Sequence, residues 1–179
     1  AAILFRRDPE TIMGSFAADQ VIGPVDVFQE AVLEAVHAAA TGKIVTIGIH
    51  PTYPSTGFGY IRCGDSLGVD GAPHAQDVVE FVEKPDEDVA KDYVESGEYL
   101  WNAGMFVAPV ALMLKHLREN EPELAAGIDS IADAWDTPQR EEVAAAQRVL
   151  AHDLRRDPCV AVVGEVAVRR AANEAAVAR

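Results

Sequence analysis

Asp19 stands alone just past a short apolar run, Thr11 to Phe16, that reads as a strand. Open α/β sheets hold their ligands outside strand ends. A carboxylate there can keep Mg²⁺ against phosphate oxygens, because magnesium binds through one or two carboxylates plus the phosphates themselves. A turn-forming aspartate is the plain alternative. The second group is PTYPSTGFGYI, Pro51 to Ile61, where Gly57 and Gly59 remove side chains as the chain re-enters a strand. Backbone bare of Cβ atoms lets a ligand come close, although glycines also bracket many ordinary turns. The third is FVEKP, Phe81 to Pro85, followed by WNAGMF, Trp101 to Phe106. Glu83 can accept hydrogen bonds from sugar hydroxyls, Lys84 can meet a phosphate as a point charge, and Asn102 offers both donors and an acceptor. A Glu-Lys pair before proline reads equally well as an exposed strand end. Taken together, the three residue types are those that a phosphorylated sugar needs.

Strand-like and helix-like segments alternate through the first two-thirds of the chain, the pattern of a sheet with helices on its faces. AAILF reads as the end of a helix, and AADQVIG as a loop after the first strand. Val25, Phe28, Val32, Ala35, Val36 and Ala39 share one helical face, with Gly42 as terminator. Lys43 to Ile49 is a β-branched strand apolar enough to be buried on both faces. FGYIRC and DVVEFVEK are further strands, separated by a polar stretch from Gly64 to Gln76. Asp86, Glu87 and Asp88 suit the first turn of a helix that Gly97 closes, since negative side chains complement the helix dipole. Tyr99 to Val107 is a mixed aromatic strand, Pro109 opens a helix to Glu119, and another helix runs from Glu123 to Trp135. Thr137 and Pro138 then start a long Ala-rich helical stretch. No internal repeat and no interdomain linker interrupts this order.

The 179 residues, 49% of them apolar, suffice for one domain with a buried core. A net charge of -14 and a pI near 4.6 exclude polyphosphate-backbone partners such as nucleic acid and disfavour anionic membranes. Small anions remain open to such a protein, because a few placed cations and backbone N–H groups neutralise phosphate locally. Cys63 and Cys159 lie far apart in no metal-binding spacing, so both read as packing residues. No run of about 18 uncharged apolar residues occurs and the first residues lack the flanks of a secretory signal, so the expected location is cytoplasmic.

The order GSFAADQVI, TIGIHPTYPSTGFGYI, FVEKPD and SGEYLWNAGMF, with helices between, resembles the mannose-1-phosphate guanylyltransferase family of sugar-phosphate nucleotidyltransferases. The likeness spans roughly residues 1 to 142, which would form a partial nucleotidyltransferase domain. It implies an incomplete Rossmann-like, GT-A-like α/β fold, a mixed sheet flanked by helices. It implies Asp19 as a catalytic residue and ligand of Mg²⁺, the expected cofactor. Gly59 would contact the sugar through its backbone, Glu83 and Asn102 would bind mannose hydroxyls, and Lys84 would be a second catalytic residue, on the sugar phosphate. The implied reaction joins GTP and mannose 1-phosphate into GDP-mannose and pyrophosphate by in-line attack at the α-phosphorus, without a protein nucleophile. No nucleic acid and no membrane is implied as partner, and a homo-oligomer is compatible with the family. Gln20 departs from the pattern, since the family usually has His after the metal-binding Asp.

Two further departures shape the expectations. The family's glycine-rich loop followed by Arg, which cradles the triphosphate, has no counterpart in this sequence. GTP is therefore expected to bind weakly to this chain alone, leaving as alternatives a non-catalytic sugar-phosphate-binding module or a transferase using another nucleotide. Residues 143 to 179 also change character, with no Lys, no aromatic residue and much Ala, Val and Arg. They read as a divergent tail, explained by a shifted reading frame. A helical tail in place of a sheet segment is expected to leave core surface uncovered, giving low stability or self-association.

Overall fold

The computed structural model describes residues 1–153 and 166–170, with side chains described through residue 147. The chain folds as two compact units, one gathering Ala1–Met13 with the helices that follow Pro109, the other gathering Gly14–Ala108 with a strand at Val166–Arg170. The chain passes between units within β1 (Ile12–Ser15) and again at the end of β5 (Tyr99–Pro109).

The candidate site belongs to the second unit. Its sheet contains β2 (Ile44–Ile49), β3 (Gly59–Ser66), β4 (Ala75–Glu83), β5 and β6 (Val166–Arg170), in the order β1-β5-β2-β6-β4-β3. β2 is antiparallel to β5 and parallel to β6, while β4 is antiparallel to both β3 and β6. The first residues of β5 also pair with β3, Tyr60 opposite Trp101 and Arg62 opposite Tyr99. Trp101 thus meets Ile49 of β2 and Tyr60 of β3, and marks the point where those two strands converge on β5.

The middle of β2, Val45 to Gly48, is fully buried, as its continuous apolar run requires. α2 (Val25–Ala39) presents Ala31, Ala35, Ala38 and Ala39 to the sheet, and these small side chains let the helix sit close over β2 and β6. Ile47 and Met105 pack beneath it with Phe28 and Val32. In another cluster of this unit, Tyr60, Ala90, Tyr99 and Trp101 form a core with Tyr93 and Val94 of α3 (Glu87–Ser96). The Asp86 side chain caps α3 by accepting the Val89 N–H at 2.9 Å, and Gly97 ends it at φ 67°. Burial holds the Tyr99 phenol well above its ordinary pKa, reinforced by its 2.7 Å hydrogen bond to the Glu80 carboxylate.

In the first unit, α1 (Ala2–Arg7), α4 (Val110–Asn120) and α5 (Pro122–Ala134) pack around Ala2, Leu114 and Ala132, and α6 (Arg140–Asp153) packs against α5. Arg6 and Arg118 both grip Asp129, and Arg6 also reaches Asp133 at 2.6 Å.

Most expected elements stand within one or two residues of their sequence limits. Pro109 precedes α4 as its N-cap instead of occupying its first turn, and Pro122 opens α5. β3 extends to Ser66 into the polar stretch, because strand pairing with β4 does not require burial on both faces. The tail departs most. Its described helix runs to Asp153, and Val166–Arg170 forms a strand between β2 and β4. The edges that a helical tail would leave open are therefore paired along Ile44–Gly48 and Ala75–Asp77. Cys63 lies half-buried on β3, whereas Cys159 lies outside the described residues.

Candidate functional site

Register places Gly59 directly opposite Glu83 across the β3 and β4 pair. A Cβ at Gly59 would stand 2.7 Å from Glu83 Oε2, 3.0 Å from Phe81 Cζ and 3.5 Å from Asn102 Cβ. Three strands thus deliver a carboxylate, an aromatic edge and an amide side chain to one bare stretch of backbone. Only glycine leaves room for the Glu83 carboxylate and the Phe81 ring to lie this close to the backbone, so the requirement at Gly59 is steric. Gly57 is different, because a Cβ there would meet nothing nearer than Ser55 Oγ at 3.7 Å. Glu83 and Phe81 therefore crowd the backbone at Gly59, whereas the backbone at Gly57 is open.

Asn102 is set by a bulge. Between Thr46 and Gly48 of β2, the partner strand advances from Phe106 to Asn102, so β5 carries two extra residues there. Gly104 absorbs the bend at φ 68°, a conformation that costs a side-chain-bearing residue about 1–2 kcal/mol. Its N–H donates to Asn102 Oδ1 at 3.1 Å, an Asx turn that the N-x-G order of WNAGMF encodes. The same oxygen lies 2.8 Å from the hydroxyl of Thr46, a residue only 1% exposed. Thr46 was not legible as a site residue. Its sole signal is a hydroxyl inside an otherwise apolar strand.

Lys84 follows Glu83 and takes φ 48°, a left-handed conformation unusual for a residue with a side chain. Pro85 restricts it further, since a residue before proline is driven toward extended conformations. The Lys84 N–H donates to Phe58 O at 3.2 Å, which ties the turn to the start of β3. Its ammonium lies 3.4 Å from Glu83 Oε1, with both side chains more than half exposed, so the pair contributes little stability.

Asp19 is exposed in the loop after β1. Its neighbour Gln20 donates from Nε2 to the Ala103 carbonyl at 3.3 Å, which fastens this loop to the β5 bulge one residue past Asn102. Gln20, the departure from the family pattern, thus retains a polar tether. Among the described residues no group of three or more His, Cys, Asp or Glu side chains could hold a metal ion. Asp19 itself offers Mg²⁺ a single exposed carboxylate, a donor that fits magnesium only when phosphate oxygens and water complete the shell. No helix among the described residues is long and apolar enough to cross a membrane. A cleft of about 340 Å³ is lined by Arg62, Cys63, Gln76, Gly97, Glu98 and Leu100, and none of the expected site residues belongs to it.

The structure therefore gathers Gly59, Glu83 and Asn102 at one place, sets Lys84 beside Glu83, and ties the Asp19 loop to the strand that bears Asn102. The chain is 41% identical over 133 residues to a mannose-1-phosphate guanylyltransferase of Escherichia coli (strain K12), a match covering 73% of this chain and 28% of that protein. It is 49% identical over 108 residues to the mannose-1-phosphate guanylyltransferase RfbM of Salmonella typhimurium (strain LT2), covering 60% and 22%. The chain thus spans about a quarter of the length of these curated relatives. A crystal structure described as a mannose-1-phosphate geranyltransferase from Thermus thermophilus shares the fold, with a TM-score of 0.73 at 24% identity over 95% of this chain and 47% of that one. The family model described as nucleotidyl transferase matches residues 1–142. With that match across most of its length, the chain belongs to the nucleotidyl transferase family.

Proposed function

We propose that this chain carries the sugar-phosphate half of a mannose-1-phosphate guanylyltransferase, the enzyme class that turns GTP and mannose 1-phosphate into GDP-mannose and pyrophosphate. The observation that carries the reading is the convergence of Glu83, Asn102 and the bare backbone of Gly59, with Lys84 one residue away. Glu83 accepts from sugar hydroxyls, Asn102 donates to a sugar oxygen, and the Gly59 backbone contacts the sugar. Lys84 neutralises the sugar phosphate and orients its oxygen toward the α-phosphorus of the nucleotide. Catalysis then rests on positioning and charge neutralisation, with no covalent intermediate on the protein. Asp19 is the carboxylate that would hold Mg²⁺, which supplies Lewis-acid neutralisation of the transferring phosphate when bound. The acidic surface and the nature of the substrates fit a cytoplasmic protein.

Isothermal titration with mannose 1-phosphate, glucose 1-phosphate and free mannose tests the half-site. Saturable binding of mannose 1-phosphate in preference to the other two is the expected result, and equal or absent binding of all three refutes the reading. Pyrophosphate release with GTP, mannose 1-phosphate and Mg²⁺ then separates turnover from binding alone. Parallel reactions with other nucleoside triphosphates distinguish a guanylyl from another nucleotidyl transferase.

A further inference from the structure

Asn102 carries an amide with two faces, one an acceptor and the other a double donor. Its oxygen is fully used inside the protein. The Gly104 N–H can only donate, so the amide atom 3.1 Å from it must be oxygen, and this fixes the orientation of the group. Thr46 Oγ1 lies 2.8 Å from the same oxygen and 3.1 Å from Met105 O, and its single proton serves the shorter contact. Thr46 is buried, out of reach of bulk water. The Asn102 Nδ2 group has no hydrogen-bond partner among the described residues, and its Cβ and the Glu83 carboxylate both lie against Gly59, within 3.5 Å and 2.7 Å of where a Cβ there would stand.

From this arrangement we infer that Thr46 is a positioning residue that makes Asn102 a donor-only contact, so that the site recognises a ligand oxygen acting as acceptor at this point and as donor at Glu83. The inference rests on the sugar-phosphate reading and deepens it. A hexose carrying hydroxyls at both points satisfies the pair, because each hydroxyl can donate to the carboxylate and accept from the amide. A deoxy sugar, or one whose hydroxyl is inverted at either position, leaves one edge of the site unmatched.

Three variants of the full chain test this. Asn102→Asp keeps both inner hydrogen bonds but turns the outer atom from donor to acceptor, and is expected to weaken mannose 1-phosphate binding at least about tenfold with an unchanged melting temperature. Thr46→Val removes the hydroxyl at constant shape and should weaken binding about threefold to tenfold, while Thr46→Ser restores it. The orientation is also read without ligand. In ¹⁵N relaxation the Asn102 side-chain amide should be rigid in the wild type and in Thr46→Ser, and mobile in Thr46→Val. Failure of the wild type to bind mannose 1-phosphate would defeat the functional reading but leave the relaxation test standing. Binding by the wild type with undiminished affinity in Asn102→Asp, or an Asn102 amide equally rigid in Thr46→Val, overturns the inference.

Discussion

Lys84 holds a backbone conformation that its own side chain and the following proline both oppose. Residues kept in such regions cost about 1–3 kcal/mol and gather where function needs them. Replacing Lys84 with Gly removes the Cβ clash but adds chain freedom to the unfolded state, an offset of about 0.5–1 kcal/mol. The expected outcome is a melting temperature equal to or above wild type with sugar-phosphate binding lost, whereas Lys84→Ala loses binding without that relief. Paired melting curves and titrations check it. Gly59→Ala is the complementary case. Its new methyl would press on the flexible Glu83 carboxylate and the stiffer Phe81 ring, so affinity should fall about tenfold or more while stability falls by about 1–3 kcal/mol, the usual range for overpacking. At this scale the sequence spoke clearly about residue types. Glu83, Asn102 and Gly59 carry their chemistry in their names. The strain at Lys84 and the half-used amide of Asn102 depend on register and on a bulge, which no single-residue property encodes.

Among the elements, those with strong periodicity or clear punctuation were legible. α2 follows from its apolar face, β2 from its continuous apolar run, and α3 from an acidic first turn closed by Gly97. The forked pairing of β5 with both β2 and β3 was not, because pairing partners distant in sequence leave no local signature. That fork builds the aromatic core beside α3, and there a pH effect follows. Tyr99 ionises near pH 10 when unfolded, and burial with the Glu80 hydrogen bond raises its folded pKa. A folded state that holds its proton more tightly than the unfolded state loses stability once the pH exceeds the unfolded value. Tyr99 should therefore contribute a constant amount below about pH 9 and a falling amount above pH 10. Urea midpoints across pH 7 to 11 should show a steeper alkaline decline for wild type than for Tyr99→Phe. The variant should also start about 1 kcal/mol less stable at neutral pH, having lost one hydrogen bond.

For the molecule as a whole, fold class and the reach of the family likeness were readable from four ordered motifs, while the structural part of the tail was hidden by its composition. Ala and Arg enrichment reads as helix, yet Val166–Arg170 is an interior strand. Val168 lies opposite Thr46 on one side and Gln76 on the other. Proline at position 168 cannot donate to a ladder and belongs only on strand edges. Val168→Pro should accordingly destabilise the protein, seen as a lowered urea midpoint and a larger apparent size in gel filtration as unpaired edges meet between molecules. The same strand sets the order in which the protein can be made. About 120 residues separate β2 from its parallel neighbour β6, on the order of ten seconds of translation at ~5–20 residues per second. β2 and β4 are both complete long before the strand that joins them, so the sheet of the second unit closes only once Arg170 has emerged, and until then the open sides of both strands depend on whatever shields them.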